Sequence, residues 1–136
     1  MHDLPVANRS GVPLSDEIPV ETPAGQARVV LELPALAVRA LLVMGHGAGG
    51  DIEAPDLLVL RAAALGSGIA VARVRQPYRV AGRRAPAPAR QLDAAWLGVM
   101  GALRESGGPF AQYQRRLRGR PVVVAGRSSG ARVACR

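Results

Sequence analysis

Near its end the chain reads Gly126-Arg127-Ser128-Ser129-Gly130, a G-x-S-x-G spacing that follows the β-branched run Pro121-Val122-Val123-Val124-Ala125. Set between a strand and a helix, this spacing suits acyl transfer. The serine sits on a strained turn with its hydroxyl above the sheet, and glycines two residues to either side keep neighbouring atoms clear. Ala131-Arg132-Val133-Ala134 can begin the helix. Ser128 is therefore the candidate nucleophile, with Gly126 and Gly130 as the elbow glycines. A second cluster, Gly45-His46-Gly47-Ala48-Gly49-Gly50, follows the apolar run Ala40–Met44. Glycines allow the close approach and unusual backbone angles with which such a loop can aim N–H groups at an oxyanion.

The same six residues satisfy G-x-G-x-x-G, so a dinucleotide site must be weighed. In that fold the pyrophosphate rests on a helix that opens inside the glycine motif. Here helical spacing resumes only near Pro55, and Asp51, Glu53 and Asp56 stand where a diphosphate would approach. The strand ending at Val74 offers Arg73 and Arg75 in place of a ribose-binding acid, which leaves only an NADP-type version of this alternative.

The elements that must carry these motifs alternate along the chain. Up to about residue 20, prolines, Ser10-Gly11 and mixed charges show no period and read as a loose leader; an ordered domain is expected over 21–136. Gln26–Leu33 alternates as a strand, with Ala27, Val29, Leu31 and Leu33 on one face. Ala40–Met44 and Ile69–Val74 are apolar on both sides, as strands in a covered sheet are. Helices are expected from Pro55 to the Gly66 and Gly68 stops, with Leu57, Leu60 and Ala64 on one face, and along Leu92, Trp96, Val99, Met100 and Leu103. Gln76–Ala89, with three prolines, reads as a long loop, and Phe110–Leu117 as a short basic helix. Crossovers of this length imply an α/β architecture whose sheet is mostly parallel and flanked by helices.

Composition narrows the function classes. The formal charge of +8 comes from 18 arginines and no lysine, but the arginines are scattered from Arg9 to Arg136 with few aromatics among them, which speaks against nucleic acid as a partner. Cys135 is the only cysteine and reads as a small buried apolar group, so no intrachain disulfide can form. The first twenty residues lack the apolar core of a signal peptide and no stretch reaches the length of a membrane helix, so a soluble cytoplasmic protein is expected. No metal or cofactor is expected.

LLVMGHGAGG, Gln76-Pro77-Tyr78-Arg79, Gln91-Leu92-Asp93-Ala94-Ala95-Trp96 and VVVAGRSSGAR together resemble the α/β-hydrolase superfamily, and within it the KANL/Tex-like, dienelactone-hydrolase-like group. The resemblance covers about residue 21 to the end. It implies a serine hydrolase of ester- or thioester-like bonds, with Ser128 as nucleophile, the N–H groups of Ala48 and Ser129 as oxyanion hole, and a small-molecule acyl substrate. It also implies that His46, with Gly47 and Gly49, positions the loop instead of acting as base. Arg79 and Arg83, beyond the strand ending at Val74, are candidates for holding an acidic substrate. In this family the triad acid and histidine follow the serine in the chain. The 136 residues thus correspond to the N-terminal half of the fold, without the C-terminal strands that bear both groups. A fragment with little activity of its own is expected, with Pro121–Ala125 exposed as a sheet edge. A non-catalytic binding module of the same fold is the alternative.

Overall fold

The computed structural model describes residues 17–127 and 129–136. Five strands form one sheet: β1 (Glu17–Thr22), β2 (Gly25–Glu32), β3 (Ala40–Gly45), β4 (Ile69–Arg75) and β5 (Val122–Gly126), in the order β1-β2-β4-β3-β5. Helices α1 (Pro55–Gly66), α2 (Pro77–Val80), α3 (Ala89–Arg104), α4 (Gln114–Leu117) and α5 (Ser129–Cys135) connect or follow them, with a 3₁₀ turn at Ala111–Tyr113. The α/β architecture expected from the sequence is present.

The sheet is mixed. β3 pairs in parallel with β4 and with β5, whereas β1–β2 and β2–β4 are antiparallel. A tight turn can join only antiparallel neighbours, and β1 and β2 are joined by the Pro23-Ala24 turn. Thr22 Oγ1 donates to the Gly25 carbonyl at 2.7 Å there, and Gly25 adopts φ = 115°, a backbone that favours glycine. Residues 17–20, placed in the leader on sequence grounds, belong to β1. Pro19 and the alternating acids conceal its strand period, and its pairing with β2 supplies the order that the local sequence does not show. Residues 1–16 lie outside the described part.

The period of two divides the apolar residues between two faces. Leu42, Met44 and Val71 pack under α1 through Leu57 and Ala64, while Leu60 is substantially exposed. On the opposite face Leu41, Val43, Ala70, Ala72 and Val74 meet Trp96, Val99 and Leu103 of α3, together with Phe110, Leu117 and Val133. The stripe on α3 recurs at the spacing of one helical face, which is why that helix lies flat on the sheet. The proline-rich segment after β4 carries a short helix, α2, that buries Tyr78. Cys135 is exposed, contrary to its reading as a buried group; α5 turns Gly130 and Val133 inward, and Cys135 falls outside that stripe.

Candidate active site

The two glycine motifs meet at the carboxyl ends of β3 and β5. Gly45 and Gly126 are register partners, and the Arg127 N–H donates to the Gly45 carbonyl at 3.2 Å. The chain then turns into α5, with the Gly130 N–H bonded to the Arg127 carbonyl at 2.9 Å. A Cβ on Gly130 would stand 2.5 Å from the Gly45 oxygen and 2.6 Å from the His46 oxygen. One on Gly126 would stand 2.5 Å from the Ala131 nitrogen. Both glycines are thus required by the close passage of the helix start over the strand ends. Ser128, the candidate nucleophile, lies outside the described residues; its neighbours Arg127 and Ser129 lie at the junction of β5 and α5. Ser129 is half-buried and is the first residue of α5, where a helix provides no intrahelical acceptor for its N–H groups.

The loop after β3 folds into a turn in which the Gly50 N–H donates to the Gly47 carbonyl at 3.0 Å and Gly49 takes φ = 70°. Gly47 is buried, whereas Ala48 and Gly49 are exposed. Among the described residues the Ala48 N–H has no hydrogen-bond acceptor.

His46 is 3% exposed, and both ring nitrogens are engaged. The Gln76 backbone N–H donates to Nε2 at 3.0 Å, which makes Nε2 an acceptor and puts the ring proton on Nδ1, from which it is donated to the Gly47 carbonyl at 3.0 Å. Burial holds the imidazole below its ordinary pKa. The Gly47 bond and the Asp51 charge oppose that shift, and Arg79 and Arg75 reinforce it. The ring of Tyr78 meets it edge-on with centroids 5.8 Å apart. The imidazole is therefore a neutral brace between the glycine loop and the end of β4.

The segment after the loop is tied down by arginines. Asp51 accepts from Arg75 Nε at 2.9 Å, from Arg79 Nη2 at 3.3 Å and from the Ile52 N–H at 2.8 Å. Burial alone would raise the Asp51 pKa, but the Ile52 bond and the two guanidinium groups outweigh it and hold the carboxyl below its usual value. Arg73, fully buried in β4, donates to the Ile52 carbonyl at 3.0 Å and to Glu32 at 3.2 Å, and Glu32 also pairs with Arg61 of α1. Sequence reasoning did not reach this clamp, because its partners are up to 41 residues apart. It also removes the dinucleotide alternative: α1 opens only at Pro55, and the arginines that would have met a phosphate are committed to Glu17, Glu32 and Asp51.

Arg79 and Arg83 differ in position. Arg79 is spent on Asp51 and on the Arg83 carbonyl, at 3.1 Å. The exposed side chain of Arg83 makes no ion pair among the described residues and lines a cavity of about 280 Å³ with Gln26, Gln76, Tyr78 and Leu92. Gln76, Tyr78 and Leu92 also line the small cleft that reaches His46, Ser129 and Gly130. Asp93, read as a helix-start acid, accepts a two-pronged bond from Arg136 at 2.8–2.9 Å. Among the described residues no group of three or more His, Cys, Asp or Glu side chains could hold a metal ion, and no helix is long and apolar enough to cross a membrane.

Known proteins with the same fold carry serine hydrolase names. An alpha-beta serine hydrolase homologue from Coxiella burnetii superposes with a TM-score of 0.69 at 14% identity, over 97% of this chain and 57% of its own. A serine hydrolase without lid from Xanthomonas campestris gives 0.62 at 19%, over 86% and 52%, and a dienelactone hydrolase from Anabaena variabilis 0.64 at 18%, over 87% and 53%. The chain spans little more than half the length of these structures. No curated protein matches it in sequence. The profile of a family described as alpha/beta hydrolase domain matches residues 38–136, from just before β3 through α5, and the chain belongs to that family.

Proposed function

We propose that the protein is a serine hydrolase of ester- or thioester-like bonds, of the dienelactone-hydrolase-like, KANL/Tex-like kind, in which these 136 residues supply the nucleophile and the oxyanion hole. Ser128 attacks the acyl carbon, and the N–H groups of Ala48 and Ser129 receive the oxyanion. The observation that carries this reading is the register of Gly45 with Gly126 under Gly130, which brings the two glycine motifs together at one end of the sheet. The acyl group or its leaving group takes the cavity beside Arg83, whose guanidinium favours an acidic substituent.

His46 braces the oxyanion loop and does not take the serine's proton, since both its nitrogens are already bonded. The acid and the base of the triad are to be sought on a segment other than these residues. By themselves the 136 residues then retain only what an oxyanion hole and binding provide, roughly 10³–10⁴ over water. The same occupied imidazole supports a second reading, a non-catalytic module that binds an acyl compound without cleaving it. We place the protein in the cytoplasm.

Aryl-ester hydrolysis by the chain and by its Ser128→Ala variant tests this. Slow turnover that falls further in the variant is expected. Efficient turnover abolished in the variant would show that a base is present and that His46 must leave its bonds to serve. Turnover unchanged in the variant, with the ester still bound, would favour the binding module.

A further inference from the structure

The amino ends of the parallel strands, opposite the elbow, hold a second cavity of about 320 Å³. Its apolar surface comes from the buried Leu41, Leu103 and Leu117, with Met100 and Val122 beside them. Its rim carries Arg104 at the end of α3 and Arg118 and Arg120 after α4. Six residues of β3 put roughly 15–20 Å between it and the glycine loop, so it is no extension of that site.

Two features distinguish this cavity from an ordinary solvated surface. Among the described residues the carboxylates that form ion pairs, Glu17, Glu32, Asp51, Asp56 and Asp93, are all committed to other arginines. Arg104, Arg118 and Arg120 have no acidic partner among the described residues, and Glu105, next in sequence to Arg104, does not line the cavity. The second feature is Gln114, which is 5% exposed. Its Nε2 donates to the Leu103 carbonyl at 2.6 Å, which fixes the amide orientation and leaves Oε1 without a hydrogen-bond donor among the described residues. That oxygen is not sealed from solvent, so a donor entering the cavity can reach it. An apolar floor, three guanidinium groups able to grip a carboxylate in two-pronged fashion, and one waiting acceptor specify a ligand's parts. The volume lies at the lower end of small-molecule sites, roughly 300–1,000 Å³.

We infer that this cavity binds a small carboxylate with an apolar tail and a hydrogen-bond donor beside its acid group, of the class of N-acyl amino acids. The tail covers Leu41, Leu103 and Leu117, the amide N–H reaches Gln114, and the carboxylate meets Arg118 and Arg120. A nucleic acid fits poorly here, because the floor is aliphatic and offers no ring on which a base could stack.

Calorimetric titration of the chain with N-hexanoylglycine, with methyl shifts of Met100 and Leu117 as the map, tests the inference. Saturable binding is expected, with those methyls moving and the affinity falling about tenfold or more in Arg118→Gln/Arg120→Gln, the size of a lost charge-assisted hydrogen bond. Both arginines are exposed, and the single change Arg118→Gln gives the same reading should the double variant fold poorly. N-acetylglycine, which keeps the charge without the tail, binds much more weakly, and octanoate, which lacks the amide N–H, binds less tightly than N-hexanoylglycine. No saturable binding, equal affinity in the arginine variants, or equal affinity for N-acetylglycine would overturn the site. Equal affinity for octanoate would overturn the part given to Gln114.

Discussion

Replacing Gly130 by alanine reverses the sign that helix propensity alone would give. Gly130 lies in the first turn of α5, and alanine is favoured over glycine in a helix by at most about 1 kcal/mol. Against this, the new Cβ meets the Gly45 oxygen at 2.5 Å and the Gly45 carbon and His46 oxygen at 2.6 Å, all of them backbone atoms that no rotamer change can move. Restoring contact at roughly 3.5 Å displaces α5 from the strand ends by about 1 Å. Overpacking costs about 1–3 kcal/mol, and the upper end applies where backbone meets backbone, leaving a net loss of about 2 kcal/mol. Gly101 of α3 is the control: it is exposed, a Cβ there meets nothing within 4 Å, and Gly101→Ala gains about 0.5–1 kcal/mol. Urea unfolding followed by the emission of Trp96, the single tryptophan and a buried one, reads both variants. The midpoint falls for Gly130→Ala and rises for Gly101→Ala. A Gly130→Ala midpoint at or above that of the unchanged chain would refute the close-approach argument.

Acid loosens the glycine loop through His46. Its folded pKa lies below the unfolded value of about 6.5, so its contribution to stability is complete above that pH and is lost as pH falls through the folded value. The difference in unfolding free energy between the chain and His46→Gln, measured from pH 8 to pH 4, therefore shrinks on acidification; a constant difference would contradict the assigned tautomer. Asp51 acts in the same direction only below about pH 4, since its carboxyl is held low by Ile52, Arg75 and Arg79. Truncating Arg73 to methionine leaves Glu32 and the Ile52 carbonyl short of a partner on a buried face, and a loss of about 3 kcal/mol or more is expected in the same urea assay. Val123 is 51% exposed on β5, and Val123→Lys reduces self-association in size-exclusion chromatography at high salt, where the +8 charge is screened.

Much of this was legible because sterics write directly into sequence. The paired motifs around Gly45 and Gly126 stand out from residue spacing alone, since only glycine tolerates backbone at such distances. The strands β3, β4 and β5 end within a residue of their apolar runs, and Pro55 and Gly66 bound α1 as expected. β1 was not legible, because a strand that carries Pro19 at a sheet edge is specified by its partner. Arg75 and Arg79 looked like ligand-binding groups because their loads, Glu17 and Asp51, lie 58 and 24–28 residues away. Nor could the sequence say which histidine nitrogen is occupied, a matter of where the Gln76 N–H comes to rest.

The two margins of the sheet are chemically unlike. Among the described residues β1 forms one margin, interrupted by Pro19 and bordered by Glu17 and Glu21, while β5 forms the other with three consecutive valines. Head-to-tail stacking of copies, β5 of one against β1 of the next, would need a proline to donate a hydrogen bond it does not have. Contact between two β5 margins meets no such obstacle, and being the same surface on both copies it closes on itself after one step. Among the described residues the asymmetry therefore bars head-to-tail addition of one sheet to the next through β1.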